Sequence, residues 1–386
     1  MSRLIALHGV IRPYAWGSPT AIPELLGVAP TGEPAAELWL GAHPDDPAFA
    51  PEHGTTLDRL IAADPVGLLG PAVAGRFDGR LPFLLKVLAA DKALSLQVHP
   101  DLAQARAGYA DEDARGVPRD SPERNYKDPN HKPELLCALT EFDALCGFRP
   151  VAQTLALIDA LDVEALAPYR ALLAGPDGLR ATFTALLTLA DPKPLVEAVV
   201  AGSRRLDGVW AAAARATLVA AGDFPGDVGA VLALLLNAVR LRPGEAIFLG
   251  AGNVHAYLRG VGVEVMANSD NVLRCGLTPK HVDVPELLRI TDFTELADPI
   301  WPAVSGRFAV PVPDFALSEL ELTGPAHVGD TGPAIVLFID AGGSVEAFDS
   351  VVDLERGRAA FVGARDAAFV VRGMGRVVVA TVGPET

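Results

Sequence analysis

The spacing of apolar residues changes twice along this chain, and that change constrains the fold more than any other feature. Before residue 150, apolar residues alternate with polar ones or run in short blocks, as in Leu81–Ala90 and in Leu94-Ser95-Leu96-Gln97-Val98-His99-Pro100-Asp101. A period of two is the mark of a half-buried strand. From 151 to about 240 the apolar positions fall three and four apart, as at Leu155, Ile158 and Leu161, with alanine and leucine dominant and breaks at DPKP and GDFPGD. That pattern predicts several short helices. Strand patterns resume at Leu241-Arg242-Pro243-Gly244-Glu245, and from about Pro302 they continue as FALSELEL, AIVLFIDA, AAFVVRG and RVVVATV. A chain of 386 residues is too long for one ordinary core. The expectation is a mainly β protein with an α insertion. One β domain is built from residues 1–150 and 241–300, a helical domain of 151–240 is inserted into it, and a second β domain spans 301–386.

Charge and cysteine content narrow the function classes. The formal net charge of −16 argues against nucleic acid or an anionic membrane surface as a partner. A few lysines and arginines in a cleft can still bind a small anion. Cys137, Cys146 and Cys275 are odd in number and follow no metal-ligand spacing, which fits a reducing, cytoplasmic setting. The N-terminal stretch is broken by polar residues too early for a signal peptide, and the most apolar internal run, Val231 to Leu236, is far short of a membrane span.

The segment 94–101 also carries the first chemistry. Leu94, Leu96 and Val98 share one face of the expected strand; Ser95, Gln97 and His99 share the other, and Pro100 stops the ladder. Lys132 and Glu134 lie two apart in HKPELL, so a strand aims both the same way. His255 follows a glycine pair, with Tyr257 on its face and Glu264 further along. Gln97, His99, Glu134 and His255 form a candidate shell of nitrogen and oxygen donors, the kind that marks catalytic rather than structural zinc. The plain alternative for each histidine is a packed or surface side chain. Lys86 lies inside an almost wholly apolar run, where it either serves a purpose or snorkels to the surface. Glu37, on the face of Trp39, needs a cation or donor nearby, and Trp39 itself reads as packing. Lys86, Lys132, Arg274 and Lys280 together suit an anionic substrate; otherwise they are surface charges or ion pairs with Glu37, Glu264 and Asp270.

Several of these segments, in this order, resemble the type I phosphomannose isomerases: YAWGS (Tyr14 to Ser18), AELWLGAHP (Ala36 to Pro44), LLKVL (Leu84 to Leu88), LSLQVHPD (Leu94 to Asp101), HKPELL (His131 to Leu136) and GNVHAYLRGVGVEVMANSDNVLRCGLTPK (Gly252 to Lys280). The resemblance implies a cupin-like double jelly roll with an inserted helical domain. It implies a cytoplasmic enzyme of carbohydrate metabolism, acting as a monomer, that interconverts mannose 6-phosphate and fructose 6-phosphate on the route to GDP-mannose. One zinc ion is implied on Gln97, His99, Glu134 and His255, an essential arginine at Arg274, and a sugar-phosphate pocket lined by Trp16, Lys86, Ser95, Lys132, Tyr257, Glu264, Asp270 and Lys280. Cys275 and Val254 depart from the residues usual in the family. Lys132 and Glu264 compete for the role of base in proton transfer through an enediol; His131 and Asp270 are candidates for ring opening. Two other readings stand beside this one: a cupin-type metalloenzyme of another reaction class, and a sugar-phosphate-binding cupin without catalysis.

Overall fold

The strand Phe83–Ala90 is buried along its whole length because both of its faces are covered. Phe83, Leu85, Val87 and Ala89 enter one apolar cluster, whereas Leu88 and Ala90 turn into another on the opposite side. The structure, a computed structural model, describes residues 3–329, 332–365 and 368–384. In it Phe83–Ala90 lies within a sheet whose strands run in the order Ile300–Trp301, Ala246–Leu249, Glu134–Ala138, His255–Ala267, Phe83–Ala90, Glu37–Gly41 and Val10–Arg12. A facing sheet contains Leu273–Gly276, Leu96–Val98, Phe142–Phe148 and Leu236–Leu241.

One strand belongs to both sheets. His255 pairs with Gln97 and Cys146 in the facing sheet, whereas residues 260 to 267 pair with Phe83–Ala90 and, over part of their length, with Glu134–Ala138. The crossing is made by a register shift between Tyr257 and Arg259 and by Gly260 at φ 128°. A Cβ at Gly260 would lie 2.6 Å from the Glu141 carbonyl oxygen, so only glycine fits there. A bulge of this kind inserts one residue and so reverses which side chains face inward.

The remaining layers follow from the same alternation. Leu96, Val98, Ala256, Leu258, Leu273 and Cys275 face away from the first sandwich and pack against helices, among them Val151–Leu161, Gly178–Leu187, Lys193–Ser203 and Ala211–Asp223. The strand Leu236–Leu241 begins inside the stretch expected to be helical, because its pairing with Phe142–Phe148 outweighs the local pattern. A helix at Leu102–Ala114 interrupts the first β region; its signal in the sequence was Asp101 with Gln104, which form a capping box.

On the other side, Phe83, Leu85, Val263 and Val265 share a core with Ile335, Leu337, Phe361 and Val378 of a six-stranded sheet. That sheet has the order Leu4–Leu7, Ala359–Val362, Ala334–Phe338, Gly375–Thr381, Ala316–Leu322 and Arg307–Phe308, and it faces a four-stranded sheet of Ala326–Val328, Phe369–Gly373, Gly343–Ala347 and Ser350–Leu354. The first strand of the chain, Leu4–Leu7, therefore hydrogen-bonds to the C-terminal sheet. Among the described residues, no helix is long and apolar enough to cross a membrane.

Candidate metal centre and charged cavity

The interior of the first sandwich is apolar in one part and polar in another, where an ordinary sandwich is greasy throughout. Gln97 and His99 enter it from one sheet, Glu134 from the other, and His255 from the strand that crosses between them. His99 Nε2 lies 3.5 Å from Glu134 Oε1, and His255 Nε2 lies 3.4 Å from Glu134 Oε2. The other ring nitrogens are committed: His99 Nδ1–H donates to the Asn271 carbonyl at 2.7 Å and His255 Nδ1–H to the Asn253 carbonyl at 2.9 Å. A carbonyl only accepts, so each neutral imidazole keeps its proton on Nδ1 and aims a bare Nε2 lone pair at a carboxylate. Three groups of acceptors then meet in a closed space. His99 Nε2 and Glu134 Oε2 are buried with no hydrogen-bond partner, a condition that costs about 1–3 kcal/mol per group.

A cation resolves that conflict, and the donor atoms of His99, Glu134 and His255 all lie within 4.8 Å of one another. Two imidazoles and one carboxylate suit a catalytic metal with room for another ligand. The charge states agree. Burial pushes the His99 imidazole down to about 4, so it stays neutral near pH 7. Burial works against the Glu134 charge, yet the neighbouring imidazoles and Lys132 hold this carboxyl well below its usual range. The Gln97 amide nitrogen is 3.3 Å from His255 Nε2, and its oxygen accepts from Ser95 Oγ at 3.3 Å. A half-turn of the amide brings its oxygen to the same centre.

Asn271 holds this arrangement from outside. It is wholly buried, and its side-chain oxygen accepts from the Lys127 N–H at 2.7 Å while its NH2 donates to the carbonyls of Asp128 at 2.7 Å and Asn130 at 2.8 Å. One residue thus orients His99 through its carbonyl and clamps the segment that leads to Lys132 and Glu134. The sequence showed only a turn at Asn268-Ser269-Asp270-Asn271; nothing in it announced a ligand-orienting carbonyl, because every residue has one.

Lys86 does not snorkel. Only 5% of it is exposed, and its Nζ lies 2.5 Å from Glu264 Oε2 and 3.8 Å from Glu37 Oε1. Lys86 stands directly across the ladder from Glu264 on one side and from Trp39 on the other. Burial disfavours its charge, but Glu264, Glu37 and Glu134 overcome that and raise its pKa above the ordinary lysine value. Burial, with Glu134 and Glu37, pushes the Glu264 carboxyl up, and Lys86 pulls it back. Tyr257 O–H donates to Glu264 Oε1 at 2.6 Å, and Trp39 Nε1–H donates to Glu37 Oε2 at 2.6 Å. Burial and Glu264 raise the Tyr257 phenol well above its usual value, so it remains a donor.

Cations lie in and beside the same cavity. Lys132 Nζ lies 3.5 Å from Glu134 Oε1. Arg274 is opposite Gln97 in the ladder, on the inner face, because its neighbours Leu273 and Cys275 point to the helices. Burial lowers the Arg274 pKa, and Arg274, followed by burial and Lys127, lowers that of Lys280. Among the described residues, no carboxylate comes within ion-pair distance of Arg274, Lys280 or Lys127. Three neighbouring cations without carboxylates, in a chain of net charge −16, make a receptive place for a small anion. Lys127 was absent from the sequence expectations. Trp16 packs beside Tyr257, Leu88 and Ala90 at the inner edge, as does Leu94, which leaves the apolar face expected for it.

His131 is the exception. Its Nε2 pairs with Asp314 Oδ2 at 2.9 Å, in the segment leading to the C-terminal sheet. His131 is thus turned toward the second sandwich while Lys132 and Glu134 face the cavity.

Fold and site together define a cupin-like metalloprotein with an anion-receptive cavity. A sequence model of the phosphomannose isomerase type I catalytic domain matches residues 4–151. The chain is 39% identical over 381 residues to the mannose-6-phosphate isomerase of Escherichia coli, covering 95% of this chain and 96% of that one. It is 32% identical over 410 residues to that of Bos taurus, with 94% of each covered. Among solved structures, mannose 6-phosphate isomerase from Salmonella typhimurium bound to substrate and zinc superposes with a TM-score of 0.91 at 36% identity, covering 99% of this chain and 100% of that one. The chain belongs to the type I phosphomannose isomerase family. The two departures, Cys275 and Val254, are both buried in the cluster on the helix side, away from the cavity.

Proposed function

We propose that this chain is a zinc-dependent aldose–ketose isomerase that interconverts mannose 6-phosphate and fructose 6-phosphate. The observation that carries the reading is the set of buried lone pairs on His99, His255 and Glu134, their protons fixed elsewhere, beside cations that lack carboxylate partners. Zinc held by Gln97, His99, Glu134 and His255 supplies a Lewis acid that stabilises negative charge on the sugar's oxygens. Arg274, Lys280 and Lys127 bind the phosphate, and Trp16 shields one side of the cavity. Lys132 is the group placed to take the proton from C2 as the C1 carbonyl becomes an enediol and to return it at C1, while the proton of the C2 hydroxyl passes to O1 and the C2 carbonyl forms. Glu264 is less suited to that task, since Lys86 and Tyr257 already occupy its oxygens. Lys86 and Arg274 add positive potential where the enediol gains negative charge.

For the working parts, we take residues 1–150 and 241–300 to build the cavity, 151–240 to cover its helical side, and 301–386 to support it, with Leu4–Leu7 lent to the last. We take the protein to act as a cytoplasmic monomer without nucleic-acid or membrane partners; the net charge of −16 and the three free buried cysteines support that setting. The test is a coupled assay for fructose 6-phosphate formed from mannose 6-phosphate. Thorough chelation should abolish turnover and added zinc should restore it. A zinc-loaded protein that binds mannose 6-phosphate without converting it would leave only the binding-protein reading.

A further inference from the structure

His43 follows the strand Glu37–Gly41 and lies beside Trp39, with the cavity residues Lys86, Lys132 and Asp270 near enough for their charges to act on it. Only 2% of it is exposed, and its ring packs edge-on against Trp39 with centroids 4.8 Å apart. The Asp45 N–H donates to His43 Nδ1 at 3.3 Å. That fills the Nδ1 lone pair, so the neutral ring carries its proton on Nε2. Burial pushes the pKa of His43 below the usual value, and the charges of Lys86 and Lys132, near enough to act on the ring, add to this against Asp270 and Asp45.

His43 Nε2 lies 3.7 Å from Asp270 Oδ2, beyond hydrogen-bond range. His43, Asp45 and Asp270 are close enough together to be weighed as a cation site. The imidazole has no lone pair left for one, and both carboxylates are exposed. The separation suits a different occupant. A hydroxyl oxygen placed between the two accepts from His43 Nε2–H and donates its own proton to Asp270, satisfying both at ordinary distances.

We propose that His43 and Asp270 together bind one non-reacting hydroxyl of the sugar, and so help to set which hexose phosphates the cavity accepts. The inference rests on the isomerase reading above and adds a specificity residue, His43, to it. In turnover, O1 and O2 react in the isomerisation and O5 in ring opening, which leaves the hydroxyls on C3 and C4 for such a pair.

The test compares kcat/KM for mannose 6-phosphate with its 3-deoxy and 4-deoxy analogues, in the zinc-loaded wild type and in His43→Phe and His43→Gln. Phe keeps the packing on Trp39 without a donor; Gln restores an N–H. His43→Phe should lose about 10- to 100-fold in kcat/KM for mannose 6-phosphate, the loss of one hydrogen bond to a charge-assisted site, and His43→Gln should recover part of it. One deoxy analogue should cost the wild type a similar factor and cost His43→Phe nothing further, as the two changes remove the same contact. Zinc content should stay at one per chain. If every analogue loses as much in His43→Phe as in the wild type, the hydroxyl assignment is overturned. Should His43→Phe fail to fold, Asp270→Asn, on the exposed side of the pair, carries the same comparison. A wild type that does not convert mannose 6-phosphate at all overturns the isomerase reading instead.

Discussion

The two β-sandwiches stand back to back and share a core, yet only the first adds a charged cavity to its apolar filling. Between its sheets the first holds, beside an apolar cluster that includes Leu88, Leu136 and Phe142, the polar set Lys86, Glu37, Glu264, Tyr257, Gln97, His99, Glu134 and His255. The second holds Leu4, Val336, Phe338, Val345, Phe369, Val371, Val377 and Val379. The backbone architecture is similar, so the sheets themselves do not demand either filling. Buried charge is costly unless paired and hydrogen-bonded. The first sandwich meets that condition with a connected set of partners, Lys86 with two carboxylates and each carboxylate with a ring donor. It leaves one place unmet, at His99, Glu134 and His255, where a cation belongs. The apolar sandwich needs no such partners. Three measurements test that division.

The largest effect should come from Lys86→Met, which leaves Glu264 and Glu37 buried without their cation. It should destabilise the fold by about 3–5 kcal/mol in denaturant melts, and a further Glu264→Gln change should recover part of that. A Lys86→Met protein as stable as the wild type would mean that the first interior needs no charge balance.

Acid should separate the interiors next. In the zinc-free protein the His99 pKa is about 4, against about 6.5 for an unfolded histidine. The unfolded chain therefore binds the extra proton between those values, and stability is present above about pH 6.5 and lost as pH falls toward 4. The loss should approach about 3 kcal/mol at the acid end. Melting of the zinc-free protein across this window should show it, and His99→Phe should flatten the curve.

The smallest effect should come from the apolar interior. Val371→Ala should cost about 2 kcal/mol of stability through lost burial and a small cavity. Its zinc content and kcat should match the wild type. A change in either would show that the second sandwich reaches the chemistry.

Much of the site was legible because strands alternate. Ser95, Gln97 and His99 could be placed on one face from their spacing, and so could Lys132 with Glu134. The helical insertion was legible from the change of period. Other features were hidden for identifiable reasons. Lys86 could have snorkelled or stayed, since only the strands on either side bring Glu264 and Trp39 across from it. His43 and Asn271 gave no signal, because a histidine beyond a strand and an asparagine in a turn are ordinary until their partners are known. Leu4–Leu7 reads as a strand of the first region, but a strand's sequence does not name its neighbour.

What the sequence determined by itself was therefore local: periods, breaks, and which residue types share a face. His255 and Glu264 show where that ends. They are nine residues apart on one strand, and strict alternation sends them to opposite faces. The register shift after Tyr257 and the bend at Gly260 carry the strand from one sheet to the other and turn both side chains into the same cavity. That inversion depends on two sheets facing each other, a relation between distant segments that no local pattern encodes.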